Sequence, residues 1–295
     1  PTNNNKWAAI IPGTDGALAS AIAHRILVQG KWYKPFVGDF NGTGASSFIA
    51  NTSAVESDFT EIYTSGLVKW WNAELKDKTP DWAAPITGIS QSDIEQIADD
   101  MGAKAPNVIS WVGPGATMNP RGAYTSMAIN ALNGLLGSTR NIGGVFVRPS
   151  KSTASLPSVT AYQDAIATAG VAFQKIDQRG YWDYPAISKT VAKGSIMNHV
   201  ADAMLAADPY DVKAVLVHHN NTLHSCTGAK RWEDAYTALP FMAHHTTHAS
   251  ETSQFADILF PSNFGTERWG LLMTSANRYT ELTLMQPVAT RLFDV

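Results

Sequence analysis

The segment 7–18 constrains the fold most, because a short apolar run, a tight glycine-containing turn and the start of a helix follow one another directly. The apolar residues 7–11 predict a strand, and the periodic apolar residues after Asp15 predict a helix that ends near Gly30. A strand that leads through a short turn into a helix is the repeating unit of α/β proteins. We therefore predict an α/β protein with mostly parallel, Rossmann-like sheets and helices on both faces.

The turn formed by Gly13, Thr14 and Asp15 has two interpretations. Thr14 or Asp15 can cap the first turn of the helix. The glycine also lets backbone N–H groups face outward at the positive end of the helix dipole, where a phosphate or another anion binds. From this pattern alone, helix capping and ligand binding both stay open.

The alternation of strands and helices continues along the chain, apart from an irregular excursion at 149–195 that is rich in serine, threonine and scattered aromatic residues. We assign 1–148 to one α/β domain and 149–295 to part of a second. Both termini are abrupt, so we expect an internal piece of a longer chain. The predicted strands are 7–11, 108–112, 212–217, 241–243 and 258–260, and the predicted helices are 15–29, 90–102, 123–136, 196–205 and 227–239.

Composition excludes several classes of protein. The net charge is −3 and no run of like charges occurs, so the sequence lacks the footprint of a nucleic-acid-binding protein. No apolar run approaches the roughly 20 residues that span a bilayer, and we predict no direct membrane span. The single cysteine, Cys226, excludes a disulfide framework and a multi-cysteine metal site within this segment. A thiol hydrolase built on Cys226 and His224 is disfavoured, because residues so close in sequence seldom pair as nucleophile and base.

Six of the eight histidines lie in two clusters, 218–225 and 244–251, and each cluster follows a predicted strand. In a parallel sheet the carboxyl ends of the strands meet at one edge, so both clusters should face one site. Three interpretations stay open: ordinary polar loop residues, contacts to a nucleotide or active site, or a zinc site formed by His244 and His248 at helical spacing.

Several short sequence motifs, taken in their order and spacing, resemble the catalytic subunit of the molybdopterin oxidoreductases of the dimethyl-sulfoxide-reductase type. The resemblance covers nearly the whole chain. The motifs that carry the resemblance are Pro12–Leu18, Thr79–Trp82 with Ile86–Gly88, Asn133–Gly137 with Ile142–Gly144, Val215–Asn221, Glu251–Thr252 with Phe255–Pro261, and Glu267–Gly270.

This resemblance implies a bis(molybdopterin guanine dinucleotide) cofactor that holds molybdenum or tungsten. It makes 1–148 a dinucleotide-cofactor-binding domain, with Gly13, Thr14 and Asp15 in contact with one guanosine. Gly115 and Met118 would approach the pterin near the metal. The residues implied for the other dinucleotide are Asn220, Asn221, His245, Thr246 and Arg268.

The implied function of the parent protein is a two-electron reaction with oxygen or sulfur transfer, as in anaerobic respiration in the periplasm or cytoplasm of a bacterium or archaeon. The resemblance places the metal ligand and a 4Fe-4S cluster in the rest of the catalytic chain, so no catalytic residue is assigned here and this segment alone should be inactive. It also implies an iron–sulfur electron-transfer subunit as partner.

The residues Glu267–Gly270 and Asn277–Tyr279 favour the polysulfide, thiosulfate and arsenate reductases, or their non-redox relatives that act on phenols. The candidates for tuning the substrate pocket are Trp111, Met118, His218 and His219. Two alternatives remain: a non-catalytic nucleotide-binding α/β module, and a zinc-dependent hydrolase that uses His244 and His248. The metal content of the parent protein separates these alternatives from the redox enzyme.

Overall fold

A computed structural model describes residues 7–42, 47–146, 157–178, 196–276 and 279–292. The chain divides into two compact units near residue 149. In the first unit the helices are α1 (Asp15–Val28), α2 (Lys34–Val37), α3 (Leu67–Trp70), α4 (Pro80–Thr87), α5 (Gln91–Lys104), α6 (Pro114–Thr117) and α7 (Gly122–Leu135), and the strands are β1 (Gly38–Phe40) and β2 (Phe59–Glu61). In the second unit the helices are α8 (Ala165–Val171), α9 (Val200–Ala206), α10 (Thr222–Ser225) and α11 (Ala229–Thr237), and the strands are β3 (Val215–His218), β4 (Met242–Thr246), β5 (Ile258–Pro261), β6 (Gly270–Ala276) and β7 (Tyr279–Met285).

Helix α1 lies at the centre of the first unit and packs against α4, α5 and α7. Its buried face alternates small and large apolar side chains, so neighbouring helices approach closely while the isoleucines fill the space between them. On its outer side Arg25 contacts Asp99 of α5 at 3.1 Å, and Lys31 contacts the same carboxylate at 2.9 Å. The hydrogen bond from Arg25 holds the pKa of Asp99 below its usual value. The buried residues of α1 are Ala19, Ser20, Ala21, Ile22, Ala23, His24, Ile26 and Leu27.

A cluster of aromatic rings extends this core toward the antiparallel pair β1 and β2. Trp32 and Phe48 meet edge to face with ring centroids 5.4 Å apart, and Phe48 meets Trp71 in the same way at 5.2 Å. Both indole N–H groups donate to backbone carbonyls, Trp32 to Gly38 and Trp71 to Thr52. The large rings therefore bury apolar area without leaving their polar atoms unpaired.

The helices of the first unit largely match the sequence. The predicted α1 and α7 are confirmed within one residue, and α5 is confirmed with a different end. Ser90, the first residue of the predicted helix, caps α5 by accepting a hydrogen bond from the Asp93 amide, but the helix continues two residues past Gly102. Helix α4 was not predicted, although Thr79 caps it and Pro80 opens it in the usual way.

The two strands predicted for the first unit are wrong, because 7–11 and 108–112 have no regular structure. Their backbone groups find other partners. The Ile11 amide donates to the carbonyl of Thr87 at the end of α4. The Asn133 side chain pairs with both the amide and the carbonyl of Ser110, at 2.8 and 2.9 Å, in place of a neighbouring strand.

The second unit contains a parallel three-stranded sheet with the order β3-β4-β5. The three predicted strands and the helices α9 and α11 are confirmed, with bounds shifted by a few residues, so the α/β fold class holds. Trp232, Tyr236 and Met242 form the buried core beside this sheet. Within the predicted excursion the structure describes 157–178, which contains α8, while 147–156 and 179–195 lie outside the described residues. Among the described helices none is long and apolar enough to cross a membrane.

Candidate functional site

The turn before α1 keeps the geometry that its glycine permits. Gly13 has φ of +85°, a left-handed conformation that favours glycine. Thr14 occupies the N-cap position, but its hydroxyl donates to the carbonyl of Ile11 at 2.6 Å and accepts no helix amide. The prediction that Thr14 caps the helix through its side chain is therefore wrong. The amides of Asp15 and Gly16 open the helix and have no acceptor within it.

A cavity of about 1270 Å³ lies beside this turn, entirely within the first unit. Gly13 and Thr14 form one side of it, and Arg121, the N-cap residue of α7, lies on its wall. Two long helices therefore direct their N-terminal, positive ends toward the same region. Its aromatic and charged lining residues are Trp70, Glu74, Lys78, Trp82, Arg121 and Tyr124.

Most residues of this cavity wall were not identified as candidate site residues from the sequence. In the sequence, Arg121 is only a loop residue before the predicted helix 123–136, and Tyr124 is only a residue of its first turn. Lys78 and Trp82 precede and begin a helix that was not predicted, and the Lys78 ammonium lies 4.9 Å from the Trp82 ring centroid. Gly115 and Met118, the residues implied to approach the pterin, are both exposed and are not among the described residues that line the cavity.

In the second unit, histidines from two adjacent strands meet at the carboxyl edge of the sheet. His218 of β3 and His245 of β4 are register partners. Their rings stack with centroids 4.8 Å apart and an interplanar angle of 17°, and their Nδ1 atoms are 2.7 Å apart. His219 has φ of +49°, which is unusual for a residue with a side chain, and its ring lies edge-on to both others. The structure thus brings together the two predicted clusters.

The electrostatics of this edge disfavour protonation of His219. The pKa of His219 lies below its ordinary value, first because neighbouring atoms displace water from the ring. Coulombic repulsion from His218, His245 and Arg268 lowers it further. Arg268 itself is exposed.

The predicted asparagines differ in what they do. Asn220 is exposed, whereas Asn221 ties the end of β3 to the loop after β4. The Asn221 amide donates to the Glu251 carboxylate at 2.5 Å, and its oxygen accepts from the Thr252 hydroxyl at 2.9 Å. The first of these bonds lowers the pKa of Glu251. Thr246, at the end of β4, donates to the carbonyl of His248 at 2.9 Å.

Neither histidine pairing proposed for hydrolysis has the required arrangement. His244 is fully buried in β4, and its Nδ1 lies 3.0 Å from the Ser253 hydroxyl. His248 is exposed beyond the end of that strand, so the helical spacing of the two histidines in the sequence does not place them on successive turns of a helix. His224 faces Glu251, and Cys226 packs against the apolar core of the unit.

Comparison with known proteins decides between the remaining interpretations. The family model described as molybdopterin oxidoreductase matches residues 2–292. The chain belongs to the molybdopterin oxidoreductase family. The non-catalytic module and the zinc hydrolase are thereby disfavoured, and the resemblance noted in the sequence is confirmed.

Within this family the chain is similar to respiratory reductases. It is 44% identical over 292 residues to the arsenate respiratory reductase molybdopterin-containing subunit ArrA of Chrysiogenes arsenatis, which covers 98% of this chain and 34% of that protein. The ArrA subunit of Shewanella sp. strain ANA-3 is 45% identical over 295 residues, with the same coverage. The thiosulfate reductase subunit PhsA of Salmonella typhimurium is 24% identical over 263 residues, which cover 87% of this chain and 31% of that protein. The chain thus spans about a third of the length of these relatives.

Among solved structures, the acetylene hydratase from Pelobacter acetylenicus superimposes with a TM-score of 0.65 at 17% identity. The match covers 98% of this chain and 38% of that one. At this identity the match shows a common fold.

Proposed function

We propose that this chain is an internal part of the catalytic subunit of a bis(molybdopterin guanine dinucleotide) oxidoreductase, and that its two units hold the two nucleotide arms of the cofactor. The observation that carries the proposal is the cavity beside the Gly13 turn, in a chain of the molybdopterin oxidoreductase family. The volume of about 1270 Å³ exceeds that of most small-ligand pockets and suits a dinucleotide.

The residues at the cavity fit such a group. The guanidinium of Arg121 and the N-terminal ends of α1 and α7 favour the negative charge of a pyrophosphate. The Asp15 carboxylate, between the lining residues Thr14 and Gly16 at the start of α1, suits the N–H donors of a guanine base, and the aromatic rings on the wall suit stacking with it. In the second unit we assign Asn220, Thr246 and Arg268 to the other arm and give Asn221 the role of positioning that loop. His245, which the resemblance also implies for this arm, stacks on His218, and we leave it out of this set.

When bound, the molybdenum or tungsten centre supplies the two-electron chemistry, and the protein supplies binding and orientation. The contribution of these residues would be to bind and orient the nucleotide arms, which would hold the rest of the cofactor in one position. The metal ligand and a 4Fe-4S cluster are assigned to the rest of the catalytic chain. An iron–sulfur subunit is the proposed electron donor, since the similar ArrA proteins are named as one subunit of a reductase.

For the substrate we propose an oxyanion of arsenic or sulfur, with arsenate first. Two relatives at 44% and 45% identity are named for arsenate, and a more distant one is named for thiosulfate. Reduction of arsenate consumes two electrons and two protons and releases one oxygen atom as water. An assay of the purified parent protein with a reduced dye, arsenate and thiosulfate compares the two substrates directly.

The nucleotide assignment is tested by Asp15→Asn in the full-length parent protein. The substitution keeps the size of the side chain and removes the charged acceptor, so we expect about 10- to 100-fold weaker retention of the guanine nucleotide. Guanosine monophosphate released by acid hydrolysis, counted per protein chain after extensive dialysis, measures the loss.

The matched control is Asp93→Asn, because Asp93 also lies in the first turn of a 14-residue helix, but no residue of that helix lines the cavity, whereas Asp15 lies between the lining residues Thr14 and Gly16. We expect this variant to retain the nucleotide as the unaltered protein does. Equal retention in both variants, whether full or reduced, would contradict the assignment of Asp15.

A further inference from the structure

The three histidines at the carboxyl edge of the parallel sheet form a cluster that the cofactor assignment does not explain. One nitrogen from each of His218, His219 and His245 lies within 4.8 Å of the corresponding atoms of the other two. In the part of the chain that the structure describes, these three histidines form the group of at least three metal-ligating side chains whose ligand atoms are close enough to hold one ion. Two of the rings are exposed and the third is half-buried, so a small ion can reach all three.

We propose that His218, His219 and His245 bind one divalent transition-metal ion, separate from the molybdenum or tungsten of the pterin cofactor. Three imidazole nitrogens are a ligand set that suits zinc, nickel, copper(II) or cobalt(II), and they discriminate against magnesium and calcium, which prefer oxygen. The proposal goes beyond the nucleotide-binding function assigned above.

The backbone positions the rings for this role. His218 and His245 are register partners on adjacent parallel strands, so their side chains lie on the same face of the sheet. The His219 amide donates to the His245 carbonyl at 2.9 Å, which anchors the third ligand to the second strand. The left-handed conformation of His219, with φ of +49°, accompanies the placement of its ring beside the other two. A non-glycine residue held in that conformation is a recurrent feature of ligand-binding sites.

Binding requires a small movement of His218 and His245, and the His219 nitrogen, which lies within 4.8 Å of the other two, must approach them by up to about 1.5 Å. Metal–nitrogen bonds of about 2.0–2.1 Å put the nitrogens of a tetrahedral site roughly 3.3 Å apart. The Nδ1 atoms of His218 and His245 are 2.7 Å apart, a spacing at which one ring donates its proton to the other. A metal ion takes the place of that proton, and the pair opens by about half an ångström. Three protein ligands leave a fourth position open to water or an anion.

Cobalt(II) is the probe that tests this proposal, because its visible absorption reports nitrogen coordination directly. The full-length parent protein, produced without a polyhistidine tag and treated with a chelator, is titrated with cobalt(II) by calorimetry and absorption. We expect one cobalt(II) per chain, and His219→Asn should weaken its binding at least about tenfold. Asparagine tolerates a left-handed backbone, so this variant removes the ring and preserves the turn. His245→Gln, which does not depend on that turn, should give the same loss.

The control is His248→Gln, since His248 is an exposed histidine of the same loop region outside the cluster. It should bind cobalt(II) as the unaltered protein does. The proposal is overturned if the unaltered protein binds no stoichiometric cobalt(II), or if the control loses as much affinity as the cluster variants. Molybdenum, tungsten and pterin are counted in the same samples, so that a failure of the proposed cofactor function is recorded separately from a failure to bind cobalt(II).

Discussion

Gly122→Ala is expected to destabilise helix α7 by about 3 kcal/mol, because an alanine methyl group has no space at this position. A Cβ atom added to Gly122 would lie 1.7 Å from the carbonyl oxygen of Thr117, a backbone atom that cannot rotate away. Either α7 or the preceding turn must then shift. Hydrogen exchange of the α7 amides in the full-length protein measures the free energy of opening of this helix.

Gly134→Ala in the same helix is the matched control. A Cβ atom at Gly134 meets nothing within 4 Å. Alanine is the better helix former, so we expect α7 to be unchanged or stabilised by up to about 1 kcal/mol. Similar exchange rates of the α7 amides in the two variants would contradict the prediction, because they would show that the close contact between Gly122 and Thr117 does not affect the stability of α7.

Asn133→Ala is expected to cost about 2–3 kcal/mol at the segment 108–112. The Asn133 side chain is 3% exposed and makes two hydrogen bonds to the backbone of Ser110, one as acceptor and one as donor. Its removal leaves an amide and a carbonyl without these partners in a half-buried segment. The exchange rate of the Ser110 amide reports the loss directly.

Two further variants separate the hydrogen bonding of Asn133 to Ser110 from a general effect of the substitution on helix α7. Asn133→Asp keeps an acceptor for the Ser110 amide but loses the donor, so we expect it to destabilise the segment as well. Asn130→Ala changes an exposed asparagine whose amide bonds to the Ser126 carbonyl of its own helix, and it should leave the exchange of Ser110 unaltered. An Asn133→Ala protein with unchanged protection at Ser110 would refute this role.

Asn133 also explains why the strand predicted at 108–112 is wrong. The β-branched run 108–112 has the composition of a buried strand, and local pattern cannot show that a distant asparagine takes the place of a neighbouring strand. The helices α1, α5 and α7 were predictable because caps and apolar periodicity are local properties of the chain. The strands β3, β4 and β5 were predictable because parallel strands are typically short, nearly continuous apolar runs, although in this structure only β4 is mostly buried.

The candidate sites were predictable to the extent that they follow from topology. Strands that run parallel bring their carboxyl ends together, which is why His218 and His245 could be expected at one edge. The left-handed conformation of His219 could not be read from the sequence, since only a few per cent of non-glycine residues adopt it. The position of Arg121 on the cavity wall depends on how α7 packs against α1, and this packing is set by contacts between residues far apart in sequence.

The central claim is that this chain binds the nucleotide arms of a bis(molybdopterin guanine dinucleotide) cofactor. The most direct measurement is the content of metal, pterin and guanosine monophosphate in the full-length parent protein, purified without oxygen. We predict about one molybdenum or tungsten atom per chain, with two pterins and two guanosine monophosphates released on hydrolysis. Zinc without pterin, or pterin without a guanine nucleotide, would contradict the claim.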